Sequence, residues 1–178
     1  LEPIAPSDPA NGTASAKEIR LSIVLVCQDA ATQEWACETC EQTARLACKG
    51  AVHSQCWNIG DLARPEALAS AVSAAREADV IVVSMQAAKV LPLALFAWLE
   101  GWFPHRTRAG GTLAVVMEAA ERPDVDSNYI EECLRTVARL SGLGFDWEER
   151  PLPKEPTRLV PERMQSHARA TTWARWPS

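Results

Sequence analysis

Apolar runs of strand length alternate along this chain with stretches whose apolar residues recur at three and four. Arg20 to Cys27, RLSIVLVC, has the length and β-branching of a strand buried on both faces, which suits a parallel sheet. Gln33 to Lys49 carries Trp35, Ala36, Cys37, Cys40, Ala44, Ala47 and Cys48 at helical spacing, with Gly50 as its stop signal. Ala51 to Ile59 reads as a second strand, and the polar His53, Ser54, Gln55 and Asn58 put it at the sheet edge. Asp61 and Pro65-Glu66 are start signals for a helix with Leu68, Ala71, Val72 and Ala75 on one face.

The organising stretch follows, from Ala78 to Phe103. The β-branched run Val80 to Val83 breaks at Ser84 to Leu91, and Pro92 then opens a helix with Leu95, Phe96, Leu99, Trp102 and Phe103 directed to the core. Thr112 to Glu118 is a fourth strand. Ser127 or Asp126 can cap a helix in which Ile130, Cys133, Leu134, Val137 and Leu140 give the clearest helical period, closed by Gly142 and Gly144. Phe145 to Glu149 is a fifth strand.

The order βαβαβαβαβ, with short connections, predicts an α/β fold: a three-layer, doubly wound, five-stranded parallel sheet in the order 2-1-3-4-5. Its switch point lies between strands one and three. Gln28 to Glu34 is therefore expected beside Met85 to Leu91, with Glu118 to Asp126 nearby.

On these residues the chain resembles the flavodoxin-like superfamily, and within it the NAD(P)H-dependent FMN reductases most. The resemblance rests on ADVIVVS (78–84), a loop, Pro92, a long apolar helix with Trp102 near its end, and TLAVVM (112–117). By element order it covers Arg20 to Glu149; residue by residue it covers about Ala78 to Met117. It implies FMN at the switch point, held by a loop after strand one rich in hydroxyls, glycine or arginine, and by a Pro-Tyr-Gly loop after strand three.

The residues depart from that pattern. The first loop reads Gln28-Asp29-Ala30-Ala31-Thr32-Gln33-Glu34, with one hydroxyl, no glycine and two carboxylates. A carboxylate about 5 Å from a phosphate charge costs about 3 kcal/mol at an effective dielectric near 20. The second loop keeps only Pro92 and has Met85-Gln86-Ala87-Ala88-Lys89 where ring contacts belong. Asp29, Thr32, Gln86, Lys89 and Glu118 form the candidate pocket, with Lys89 a possible phosphate ligand and Gln86 a possible ring contact. No catalytic residue and no metal ligand is assigned. A receiver-like phosphoacceptor site fails, because Ser84-Met85, Met117-Glu118 and the region of Trp147 lack the Asp, Thr or Ser, and Lys it needs.

Charge divides the 178-residue chain, whose formal net charge is −5. Through Glu149 there are 12 Lys and Arg against 21 Asp and Glu, a net of −9; from Arg150 onward there are 6 against 2, a net of +4. An acidic body argues against nucleic acid as a partner. No apolar stretch of membrane-spanning length and no signal-peptide pattern is present, so a cytoplasmic protein is expected. Residues 1–18 are read as a flexible leader, residues 19–149 as the domain, and residues 150–178 as a Pro-rich basic tail that packs on the body or on a partner such as a dimer mate.

Six cysteines, Cys27, Cys37, Cys40, Cys48, Cys56 and Cys133, read as buried packing residues, with redox or zinc function the lesser alternative. Three functions follow in order: a non-flavin module binding a protein partner or small ligand, with no cofactor expected; an FMN-dependent NAD(P)H oxidoreductase with an atypical pocket; and a cysteine redox or zinc protein.

Overall fold

The computed structural model describes residues 21–47, 52–119 and 128–151. Its five strands are β1 (Leu21–Cys27), β2 (Val52–Asn58), β3 (Val80–Met85), β4 (Thr112–Glu118) and β5 (Gly144–Arg150). The helices are α1 (Ala30–Ala47), α2 (Pro65–Glu77), α3 (Leu93–Trp102) and α4 (Asn128–Leu140). Short 3-10 turns at Ile59–Ala63 and Phe103–His105 complete the order. All neighbouring strands pair in parallel, and the sheet order is β2-β1-β3-β4-β5, as expected. The leader, the Ser127 and Asp126 caps and the tail beyond Pro151 lie outside the described residues.

Strand parity decides which residues face which layer. Val24, Val26, Ile81, Val83, Leu113 and Val115 join the core under α2, α3 and α4, while Ile23, Leu25, Cys27, Val80, Val82 and Ala114 face α1. The β3 side chains are buried along the whole strand, as a central strand covered on both sides must be. β2 is at the edge, where its polar residues tolerate partial exposure.

Three helix faces differ from expectation. In α1 the buried positions are Thr32, Trp35, Ala36 and Thr39, whereas Cys37 is exposed and Cys40 half-buried. Two helix threonines turn their hydroxyls back on the backbone: the buried Thr39 donates to the Trp35 carbonyl at 3.0 Å and the half-buried Thr43 to the Thr39 carbonyl at 2.8 Å. A residue counted as polar is thereby made fit for the core. In α3 the buried face is Leu95, Trp98, Leu99 and Trp102, so Phe96 is exposed and Trp98 takes its place. In α4 it is Ile130, Leu134 and Ala138, with Leu140 exposed.

The amino edge of the sheet is locked by the loop before β4. Arg106 donates to the carbonyls of Ala75 and Ala78, both at 2.8 Å, and of Gly110 at 3.0 Å, closing the carboxyl end of α2. Arg108 bonds the Glu77 carbonyl and pairs with Asp79, whose other oxygen accepts from the Ser22 amide at 2.9 Å. Gly111 has φ +104°, and a Cβ there would stand 2.4 Å from the Asp79 carbonyl oxygen. Only glycine fits that close approach.

Candidate functional site at the switch point

At the carboxyl edge the chain leaves β1 and immediately closes on itself. The amides of Gln28 and Asp29 donate to Thr32 Oγ1 at 3.0 and 2.9 Å, and the Thr32 amide donates to Asp29 Oδ1 at 2.9 Å. This is a reciprocal capping box with threonine in the role usually taken by glutamate. It starts α1 at Ala30, three residues earlier than the apolar spacing predicted.

The loop after β3 is held to this cap. Gln86 Nε2 donates to Asp29 Oδ2 at 2.6 Å, and the Gln86 amide donates to Gln28 Oε1 at 3.0 Å. The Ala87 amide donates to Glu118 Oε2 at 3.2 Å, which brings in the end of β4. From the other side Asn58 Nδ2 donates to the Gln28 carbonyl at 2.9 Å, while Asn58 Oδ1 accepts from the Gly60 amide at 2.8 Å. One network thus joins the ends of β1, β2, β3 and β4.

Of the five residues expected here, Asp29, Thr32, Gln86 and Glu118 are brought together. Lys89 sits exposed on the loop that follows. Gln28 and Asn58 are members that sequence reasoning missed. Asn58 carried a signal, since asparagine two residues before glycine at a strand end is a common local cap; Gln28 carried none.

The chemistry of the network is that of a site filled by its own side chains. Backbone N–H groups at a helix start and in a strand-end loop are the groups that solvate anions in this topology. Here those of Asp29, Thr32, Gln86 and Ala87 face Thr32, Asp29, Gln28 and Glu118, and that of Gln28 is shared between Thr32 Oγ1 and the Ser84 carbonyl. Beneath the crevice the fully buried Ser84 hydroxyl finds no partner among the described residues.

Two other features lie apart from the crevice. A shallow groove of about 430 Å³, lined by Ser22, Gln55, Ser70, Ser73, Ala74 and Glu77, opens beside β2 and α2 and shares no residue with the network. Val90, Leu93 and Phe96, which follow the Gln86–Ala87 loop in the chain, are exposed by 67%, 82% and 45%. Among the described residues no three His, Cys, Asp or Glu side chains converge as metal ligands, and no helix is long and apolar enough to cross a membrane.

No family model matches this chain, and no curated protein does. Among solved structures, a flavodoxin from Streptococcus pneumonia TIGR4 is similar at 16% identity and a TM-score of 0.51, over 77% of this chain and 88% of that one. Smu.1420 from Streptococcus mutans UA159 follows at 10% identity and a TM-score of 0.44, over 75% and 87%. Strand order, layer arrangement and the first of these likenesses agree: the chain has the flavodoxin-like fold.

Proposed function

We propose that this domain is a non-flavin binding module that takes a protein partner or small ligand at the carboxyl edge of its sheet. The observation that carries the reading is the engagement of the crevice amides by Asp29, Thr32, Gln28 and Glu118. FMN does not fit this arrangement, because its phosphate would exchange a satisfied cap for two nearby carboxylates. Support for a protein partner comes from the exposed apolar side chains of Val90, Leu93 and Phe96, which follow the Gln86–Ala87 loop in the chain. The setting is taken to be the cytoplasm, without nucleic acid.

One observation favours a second reading, an FMN-dependent NAD(P)H oxidoreductase: the fold is that of a flavodoxin. Titrating FMN with the full chain and following flavin fluorescence separates the two. No saturable quenching at micromolar protein is expected. Saturable quenching, with yellow protein after gel filtration, replaces the first reading by the second. For the partner, sedimentation of the full chain and of Leu93→Asp is the test. Self-association lost in the variant makes a second copy the partner; monomers throughout leave a different protein or a small ligand. The basic residues 150–178 are read as packing on the acidic body or on that partner, and truncation after Arg150 is expected to lower thermal stability or change the oligomer.

A further inference from the structure

Sulfur is concentrated on the α1 face of the sheet, directly beneath the crevice, and the reading above makes no use of it. Leu25 pairs with Cys56 and Cys27 with Asn58, so Cys27 and Cys56 point to the same face from neighbouring strands. Their Sγ atoms lie 3.9 Å apart in a thiol–thiol contact, and neither is in a disulfide. Cys27 is 2% exposed, whereas Cys56 sits half-buried on the edge strand.

Either sulfur can donate in this contact, and with Cys27 buried and Cys56 half-buried a charge is less costly on Cys56. The contact holds the Cys56 thiol below its ordinary range, and the same contact, then burial, pushes Cys27 above it. The half-buried Cys40 responds the other way: burial raises it to about 11. Cys56 is thus the more readily ionised of two sulfurs in contact.

We propose that Cys56 and Cys27 are a hydroperoxide-sensitive thiol pair that closes to a disulfide joining β2 to β1. In the first step the Cys56 thiolate attacks a peroxide oxygen and the O–O bond breaks. Cys56 becomes a sulfenic acid, and the leaving oxygen takes a proton to depart as water or an alcohol. In the second, the Cys27 sulfur attacks the Cys56 sulfur, the S–O bond breaks, and the oxygen leaves as water with the Cys27 proton. Two thiols give up two electrons and the hydroperoxide receives them. The sulfurs must close from 3.9 Å to about 2.05 Å. Because Cys56 pairs with Leu25 rather than with Cys27, the strand ends must shift to bring Cα atoms about 8 Å apart on this diagonal within the roughly 7 Å that a disulfide spans. Cys27 adjoins Gln28, and Cys56 lies two residues before Asn58, whose side chain holds the Gln28 carbonyl. The bond therefore ties together the two strand ends that carry one side of the crevice.

The test treats the full chain with hydrogen peroxide, blocks remaining thiols with iodoacetamide, and maps non-reducing digests by mass spectrometry. A Cys27–Cys56 cross-linked peptide, short of two hydrogens, is expected before other cysteines oxidise. Cys27→Ser is expected to leave a Cys56 sulfenic acid that dimedone traps, Cys56→Ser to abolish both products, and Cys37→Ser to leave the cross-link unchanged. Circular dichroism confirms folding, and if the serine variant does not fold, Cys27→Ala gives the same trap more slowly, because it also removes the contact that lowers the Cys56 thiol. First oxidation at Cys37, Cys40, Cys48 or Cys133, or a sulfenic acid that accumulates in the parent chain without a cross-link, overturns the proposal. Neither result bears on the FMN titration, so the two readings fail separately.

Discussion

Asp29 does two jobs with its two oxygens. Oδ1 accepts the Thr32 amide at the start of α1, and Oδ2 accepts Gln86 Nε2 from the loop after β3. Asp29→Ala is therefore expected to cost about 1 to 2 kcal/mol, the range for a lost helix cap, measurable by urea denaturation. The same change frees the Thr32 amide and removes a negative charge from the cradle. Inorganic phosphate is expected to raise the melting temperature of the variant more than that of the parent chain. Equal shifts would mean that the carboxylate does not guard the cradle. Glutamine in place of aspartate at this position is too long to reproduce the cap and is expected to behave like alanine toward stability.

Among the elements, α2 and α3 carry the heaviest structural demands. The Arg106 guanidinium reaches the Ala75, Ala78 and Gly110 carbonyls, so Arg106→Ala strands the last carbonyls of α2 beneath a loop that shields them. A loss of about 2 to 4 kcal/mol is expected in chemical denaturation, and Arg106→Lys is expected to recover little of it. A lysine cannot fork to several carbonyls at once. In α3, Trp98 and Trp102 are fully buried with ring centroids 5.6 Å apart, yet neither indole N–H finds an acceptor among the described residues. Burying an unsatisfied donor is costly, which offsets part of what each ring contributes. Trp98→Phe is accordingly expected to change stability by less than about 1.5 kcal/mol, while Trp98→Ala, which leaves a cavity, costs about 3 to 5 kcal/mol. Thermal melts of the two variants check the contrast, and similar losses in both would show that the indole N–H is satisfied.

At the scale of the whole molecule, titration and topology each reach across elements. The Cys40 thiol is raised to about 11, first by burial and then by its charged neighbours, against an ordinary value of 9.0. A folded value above the unfolded one means the unfolded chain loses this proton first. The contribution is therefore fully present below about pH 9 and is lost as pH rises toward 11. Stability is expected to fall across that window, with a shallower slope in Cys40→Ser, as read from melts at stepped pH. What the sequence determined by itself was the order and type of elements, the edge position of β2, the strand order and the loops that meet. Periods of two and of three to four, and the chirality of crossovers, are properties of the chain alone. Tertiary structure alone decided which neighbours each side chain meets. It placed Thr39 and Trp98 in the core and Cys37 and Phe96 outside, and it filled the crevice amides with Asp29, Thr32, Gln28 and Glu118. Asp29 and Thr32 close their cap three residues apart, but the bonds from the Gln86 and Ala87 amides to Gln28 and Glu118 join residues tens of positions apart. Such bonds leave no periodic trace in a sequence, so how far the cradle is closed by its own side chains is settled only when the loops meet in space.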